Sequence, residues 1–498
     1  MMMMMMMMME CRKRGLAMNR VFWRSFSTRD IPDLQNKVIA LCKRRGFAFL
    51  DSEIYGGLAN TYDFGPVGVE LRRKIRDRWW RDFIRTRTNC FGIETPIMMH
   101  PQVWKTAGHV DNFADELSEC KVCHQRFRAD KLDERSCVNR KKCEFTDPKK
   151  FNMLFETSMG PVADSASKVY MRPETAQGIF VNYPTLSQVS RSKLPFGVGQ
   201  IGRAFRNEIS PGQFLFRLRE FEQMELEFFC SPAEVDKWFT YWRSYCMDWL
   251  RTLGIKQQNL KFVDHGPGEA AHYAASASDI EYRYPGGWGE LWGIANRTDY
   301  DLKNHANLSG KRFVSENEQT PFCVEPSVGL ERLMFAMLCD AYDEEKVFPI
   351  SKNAAAEPTT GSEASSAEAG DVRTVLRLHP AIAPFTAAVF PLLKRPQLVE
   401  VAEKVYLHIQ SLFGVDYDEG GSIGKRYRRH DEIGTPYCIT VDFDTLHDRA
   451  VTIRDRDTLD QIRVPIDRIA SFLVERLSEA DRGWTAKSAG GSAPETLQ

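Results

Sequence analysis

The 498-residue sequence has no apolar run approaching the roughly 20 residues of a membrane-spanning helix, so no transmembrane segment is expected. It also lacks net charge. Its 67 Lys and Arg balance 67 Asp and Glu, which excludes a global field drawing in nucleic acid and leaves any RNA contact to local basic patches. The 12 cysteines are scattered rather than arranged as a disulfide framework. Cys230, Cys246, Cys323 and Cys339 stand in apolar surroundings, a usage that fits a reducing compartment. What is present is an ordinary globular composition, 43% apolar and 27% charged, in a chain long enough for two or three domains with substantial cores.

The most informative stretch is 198–229, two strands joined by a loop that carries Pro211 and Gly212. Strand periodicity puts Arg217, Arg219, Phe221, Gln223, Glu225 and Glu227 on one face and Leu218, Met224, Leu226 and Phe228 on the other. Arg206 and Glu208 point the same way on the first strand. An antiparallel hairpin often has one solvated face. Here, however, arginines cluster at the loop end and carboxylates further along, which suits a ligand anionic at one end and cationic at the other. Phe205 and Phe221 interleave with the arginines, and an arginine over a ring can sandwich a planar base.

Around this hairpin, 33–46 has helical spacing through Leu34, Val38, Ile39 and Leu41, and a glycine-rich segment, IYGGLANTYDFGPVGVE, follows. The spacing of Leu71, Ile75, Trp79 and Phe83 predicts a long helix over 67–87 with arginines covering the rest, then a strand over 90–95 that ends at Pro96. Residues 232–253 read as a helix with Val235, Trp238, Phe239, Trp242 and Trp249 on its core side. Residues 286–302 read as a glycine-broken strand bearing Glu290, Arg297 and Asp299. In PFCVEPSVGLERLMFAML, 321–338, a short strand reaches Glu325, Pro326 breaks it, and Ser327 caps a helix whose Leu330, Leu333, Met334, Met337 and Leu338 face the core. Arg332 then sits in the first turn, and a helix N-terminus beside an arginine is a natural seat for phosphate.

Residues 351–370 can build no core and read as a linker. The roughly hundred residues after it alternate strands with helices, which suggests a small mixed α/β domain. There Lys425, Arg426, Arg428 and Arg429 surround Tyr427, the cationic and aromatic combination that single-stranded RNA prefers, although such a run is more often a solvated face.

FRNE followed by a second arginine beyond the loop resembles motif 2 of the class II aminoacyl-tRNA synthetases, and REFEQMELEFF is similar to the glycyl branch in particular. The helix and strand over 67–95 resemble motif 1, strengthened by YDFGPVGVE, and the 321–338 unit resembles motif 3. MRPETAQGIF, 171–180, is similar to a phrase of the same branch, and the C-terminal domain resembles the anticodon-binding domain of the glycyl, histidyl, prolyl and threonyl enzymes. The resemblance covers about 33–482.

It implies an α/β (α+β) architecture: a catalytic domain with an antiparallel sheet flanked by helices over 33–350, with an insertion at about 98–160, the linker 351–370, and an anticodon-binding domain over 371–485. Residues 486–498 read as a disordered tail. It implies glycine activation by ATP and transfer to tRNA(Gly), with Mg2+ assisting. Carried over by motif, Arg206 and Arg332 are the catalytic arginines. The ATP contacts are Arg206, Asn207, Glu208, Phe216, Arg217, Leu218, Arg219, Phe221, Glu290, Leu291, Gly329 and Arg332, with Phe221 stacking on adenine and Glu290 helping to carry magnesium. The glycine contacts are Arg128, Glu174, Phe221, Gln223, Glu225, Glu325, Pro326, Ser327 and Gly329. Read without the resemblance, Glu174 is simply a helix-start residue after Pro173. Lys425, Arg426, Arg428 and Arg429 fall to tRNA.

The insertion holds Cys120, Cys123, Cys137 and Cys143. The first pair has zinc-ligand spacing, but the second has five intervening residues, whereas the family often has two short-spaced pairs, so zinc is left unassigned. The family also implies a homodimer built on motif 1. A cytoplasmic location is expected. MNRVFWRSFSTRD, from Met18, resembles a mitochondrial presequence as much as a basic, disordered N-terminus, and the run of nine methionines before it has no physical account. Two rival readings are the histidyl enzyme, against which RPETAQGIF, FEQMELEFF and EPSVGLER argue, and a non-catalytic binding protein on the same fold. The second would be expected to have lost the nucleotide-binding arginines, yet Arg206, Arg217 and Arg332 are all present.

Overall fold

A computed structural model describes residues 33–129, 132, 143–161, 167–209, 212–266, 274–347 and 371–488. The proposed presequence, Cys137, the 351–370 linker and the last ten residues lie outside the described residues.

Helix α1 (Leu34–Arg45) buries Val38, Leu41 and Cys42, and Gly46 in a left-handed conformation ends it. Helix α2 (Pro66–Trp80) starts on a proline at its first position, where the missing N–H is not needed, and continues as a π turn over Arg81–Arg85. Its stripe of Leu71, Ile75, Trp79 and Phe83 is buried as the spacing predicts, but so are Arg72 and Arg78, which the sequence pattern places on the wet side. Arg78 is neutralised inside by Asp82, which also accepts the Trp249 indole N–H at 2.9 Å. Phe83 stacks on Trp79 at 5.1 Å and on Trp292 at 5.5 Å, fastening α2 beneath the main sheet.

That sheet contains β1 (Cys90–Gly92), β2 (Phe196–Phe205), β3 (Glu220–Cys230), β4 (Leu260–Asp264), β5 (Ser276–Tyr284), β6 (Gly287–Thr298) and β7 (Phe322–Gly329). The spatial order is β4-β5-β6-β7-β3-β2-β1, antiparallel except for the β1/β2 pair. The expected hairpin is β2/β3, with Glu225 opposite Gln200. Helix α3 (Val235–Thr252) buries Val235, Trp238, Trp242 and Trp249 and leaves Phe239 half-buried.

The unit at 321–338 folds differently from its sequence reading. Pro326 does not break the strand: β7 runs on to Gly329, and α4 (Leu330–Ala341) begins only at Leu330. The proline is accommodated because Ile294 of β6 stands opposite it, while the β3/β7 ladder is interrupted at Leu226 and Glu227, where a proline has no N–H to give. Ser327 is therefore a strand residue and not a helix cap. Arg332 does fall in the first turn of α4.

Helix α4 runs directly into β8 (Tyr342–Val347), which pairs with β9 (Asp371–Leu376). Residues 371–376, expected to open the second domain, thus form a hairpin with the end of the first. The second sheet comprises β10 (Ala387–Pro391), β11 (Val415–Tyr417), β12 (Tyr437–Val441), β13 (Ala450–Asp455) and β14 (Gln461–Pro465), in the order β11-β10-β12-β13-β14. Helices α5 (Pro396–Ile409), α6 (Ile423–Ile433) and α7 (Ile469–Ser488) accompany it, the last running into the tail expected to begin at 486. The two-domain, mixed α/β architecture matches the fold class inferred above. Among the described residues no helix is long and apolar enough to cross a membrane.

Candidate active site

The cleft floor is the central strand triplet β6-β7-β3. Period-2 alternation turns Phe221, Gln223 and Glu225 of β3 to one face, and the antiparallel register sets Ser327 opposite Glu225 and Gly329 opposite Gln223. Above this floor lies a cavity of 280 Å³. Arg206, Arg217 and Arg332 line it, and so do Glu174, Glu225 and Glu325, although these six come from four separate segments of the chain. Glu208, Phe216, Leu218, Glu290 and Leu291 complete the expected set that reaches it.

The arginines are held by backbone and rings. Arg206 donates from Nε to the Pro173 carbonyl at 3.0 Å and lies 5.3 Å from the Phe221 ring centroid. Arg332 donates from Nε to the Phe216 carbonyl at 2.9 Å, lies 4.7 Å over the Phe216 ring, and pairs with Glu290 at 3.1 Å. The Arg332 guanidinium beside Glu290 holds that carboxyl below the usual carboxylate range. Arg217 stands 4.0 Å from Glu208.

The carboxylates form a buried cluster. Glu225 accepts from the Thr175 backbone N–H at 2.9 Å and from the Ser327 hydroxyl at 2.8 Å. Glu174 meets His109 at 3.2 Å and accepts from Gln177 at 3.1 Å. Arg297 donates to Glu325 at 2.9 Å and to Asp301 at 2.9 Å, and lies 3.6 Å from Glu174. Burial works against ionisation at every one of these groups. At Glu174, His109 and Arg297 overcome it, and the carboxyl lies well below its ordinary range. At Glu225, burial and the Glu174 charge win, and the carboxyl is pushed up. Glu325 is pushed up to about 8 by burial against the pull of Arg297. The cluster can therefore take a cation, which would supply the charge that burial denies it.

Among the described residues, three expected contacts, Arg219, Asn207 and Pro326, are not in the cavity lining. Arg219 instead donates to the Glu208 carbonyl at 3.0 Å and to that of Ala59 at 3.3 Å. The reason is local: the β2/β3 ladder begins at Glu220, so strand alternation does not extend back through 217–219, and Arg217 enters through an isolated bridge with Gly212. Asn207 donates its backbone N–H to the Met153 carbonyl at 2.8 Å. Pro326 alternates to the opposite face from Glu325 and Ser327. The Arg128 side chain lies outside the described residues.

Sequence reasoning missed His109, Gln177, Arg297 and Asp301 as partners of the carboxylates, and His265 and Asp279 as cavity walls. No helical spacing reports these pairs, because Arg297 lies at the end of β6 while Asp301 lies in the helix after it, and Glu174 precedes the short helix that carries Gln177. Nothing in the sequence near His109 tied it to Glu174. Burial and the neighbouring Glu290 push Asp279 up to about 6, against His265 at 2.8 Å.

Comparison with known proteins gives the family. Residues 154–341 match the tRNA synthetase class II core domain (G, H, P, S and T), and 386–476 match an anticodon binding domain. The glycine–tRNA ligase of Caldanaerobacter subterraneus subsp. tengcongensis is 50% identical over 475 residues, covering 89% of this chain and 98% of that protein. Those of Clostridium kluyveri and Geobacillus kaustophilus are 49% and 46% identical, with the same shares covered. The chain belongs to the glycine–tRNA ligases.

In this ligase the second domain carries the basic run on α6. Lys425 and Arg428 are exposed. Arg426 is not: its guanidinium is buried and donates to the carbonyls of Pro391, Leu392 and Asp418, which corrects its reading as an RNA contact. Helical geometry explains the split, because position 426 faces the sheet while 425 and 428 face away. Arg429 pairs with Asp418. Tyr427 also turns inward, bonding Thr440 at 2.7 Å beneath the Arg454 guanidinium. In the insertion, Cys120, Cys123 and Cys143 are described, and among the described residues no cluster of three metal-binding side chains occurs.

Proposed function

We propose that this cleft performs the first half of the glycine–tRNA ligase reaction, with the arginines on the nucleotide and the carboxylates on the glycine ammonium. A glycine carboxylate oxygen attacks the α-phosphorus of ATP, the bond to the β-phosphate bridging oxygen breaks, and pyrophosphate leaves. The terminal ribose hydroxyl of tRNA(Gly) then attacks the glycyl carbonyl and releases AMP. No protein nucleophile is needed, so catalysis rests on holding the reactants in line and stabilising charge on the phosphates. Arg206 serves the α-phosphate, Arg217 and Arg332 the outer phosphates, Phe221 the adenine face, and Glu208 the adenine edge. Glu174, Glu225, Glu325 and Ser327 receive the ammonium.

The single observation supporting this reading is the convergence of three arginines and three carboxylates on one cavity. Class II enzymes of this kind use ATP with Mg2+, and Glu290 and Asp279, which both line the cavity, carry the hard carboxylate oxygens that would suit that cation. Magnesium there would neutralise phosphate charge.

Glycine is selectable without an editing step, because walls can exclude every larger side chain, whereas a missing methylene yields only about 1–3 kcal/mol of discrimination. Lys425, Arg428 and Arg429 are proposed for tRNA. The exposed Ile54, Tyr55 and Leu58, in the turn leading into α2, offer apolar surface to the expected homodimer. A cytoplasmic setting fits the buried thiols of Cys42, Cys230, Cys246 and Cys339.

The test is ATP–pyrophosphate exchange measured with each of the amino acids of translation. Exchange with glycine alone is expected. Exchange with none would favour the non-catalytic reading, and exchange with another amino acid would contradict the assignment of the carboxylate cluster.

A further inference from the structure

Arg72 lies on α2, outside the cavity, with a side chain only 8% exposed. Its guanidinium divides between two carboxylates. One Nη donates to Glu222 at 2.7 Å and the other to Glu331 at 2.5 Å, and the Phe64 ring lies 4.0 Å beneath it. Glu331 uses its second oxygen to accept the Glu222 backbone N–H at 2.9 Å. Arg76 adds a weaker contact to Glu222 at 3.4 Å.

The positions of the two carboxylates give the junction its meaning. Glu222 sits on β3 between Phe221 and Gln223, both of which line the cavity, and points to the opposite face. Glu331 precedes Arg332 in the first turn of α4. One buried guanidinium therefore fixes the strand bearing the adenine platform against the helix turn bearing the outer-phosphate arginine. Without it, two carboxylates would face one another in a desolvated space, and their repulsion would drive β3 and the start of α4 apart.

We propose that Arg72 is a positioning residue for ATP: it sets the spacing between Phe221 and Arg332, and so acts on nucleotide binding without touching the nucleotide. The inference rests on the reading of Arg332 as a phosphate ligand. It predicts a selective defect. ATP spans the two elements that Arg72 joins, whereas the glycine carboxylates, Glu225 of β3 included, are held in addition by Arg297, His109 and Thr175.

The experiment compares calorimetric Kd values for ATP and for glycine in the full-length chain. A triple variant, Arg72→Met with Glu222→Gln and Glu331→Gln, removes the ionic fork without leaving buried charge unpaired, and should melt close to wild type. Its ATP Kd is expected to rise roughly tenfold, as a misplacement well under an ångström would produce, with the glycine Kd unmoved. Made in an Arg332→Ala background, the same triple change should add nothing further, because its effect passes through Arg332. Arg72→Lys, which keeps the charge but cannot fork between two carboxylates, should lie between, and it keeps the test available should the triple variant not fold. An unchanged ATP Kd, an equal loss for both ligands, or full additivity with Arg332→Ala would overturn the role of Arg72. Arg332→Ala alone separates the two readings: wild-type ATP binding there would remove the phosphate role of Arg332, whereas weakened binding there with an unmoved triple variant removes only the role of Arg72.

Discussion

Ser327 donates its hydroxyl hydrogen to Glu225 across the β3/β7 ladder, at 2.8 Å. That bond exists because Pro326 stays in the strand and leaves Ser327 on the cleft face. Its removal should make Glu225 harder to ionise in a site that already pushes its carboxyl up. Ser327→Ala is expected to raise the KM for glycine by roughly fivefold, the worth of about 1 kcal/mol for one hydrogen bond, with the KM for ATP unchanged. Steady-state exchange kinetics check it; a shift in the ATP value alone would contradict the placement of Ser327 at the ammonium.

Arg206 is anchored by the Pro173 carbonyl and partly shielded by Phe221, so its truncation removes a charge from the cleft and not a pillar of the core. Arg206→Ala should abolish glycine-dependent pyrophosphate exchange while the thermal melt stays near that of the parent. Near-normal exchange by this variant would show that another group serves the α-phosphate.

Glu325 gives the cleft a pH dependence. Its carboxyl is pushed up to about 8, chiefly by burial. A folded-state value raised above the unfolded one means that the native chain holds an extra proton between the ordinary carboxylate range and about 8, so this group's contribution to stability is full below that range and is lost as the pH rises through about 8. Binding of an ammonium has the opposite requirement, because the proton must leave. Glycine affinity should therefore increase from about pH 6.5 to about pH 8, and Glu325→Gln should flatten that slope. Calorimetry across the window decides it, and a flat profile in the wild type would show that Glu325 is already ionised.

The exposed face of α6 should serve the nucleic acid only. Arg428→Ala with Arg429→Ala is expected to lower the rate of tRNA(Gly) charging and to leave pyrophosphate exchange at the parental rate. Equal loss in both assays would mean that these residues support the fold. Arg426→Ala, by contrast, should lower the melting temperature, because three backbone carbonyls lose a buried donor.

How far the sequence could be read follows from what each residue depends on. Phe221, Gln223 and Glu225 were legible because strand alternation is a local property and β3 obeys it from Glu220 onward. Arg219 escapes that rule because the ladder starts only at Glu220. From the sequence Ser327 reads as a cap because proline ordinarily ends a strand, and only the gap in the β3/β7 register shows how this one is tolerated. Arg72, Arg78 and Arg426 look like solvated charges in the sequence, but Arg72 is buried against Glu222 and Glu331, Arg78 against Asp82 and Asp481, and Arg426 against backbone carbonyls. The pairing of 342–347 with 371–376 joins two segments across a long low-complexity stretch, which no local pattern reports.

The central claim is that one cavity seats ATP on Arg206, Arg217 and Arg332 and glycine on Glu174, Glu225 and Glu325. A crystal structure with a non-hydrolysable glycyl-adenylate analogue tests it directly. The account predicts the adenine against Phe221, the phosphate mimic at Arg206, and the ammonium within hydrogen-bonding distance of Glu225 and Ser327. An analogue ordered anywhere else, or one bound here with its ammonium turned away from the three carboxylates, would contradict it.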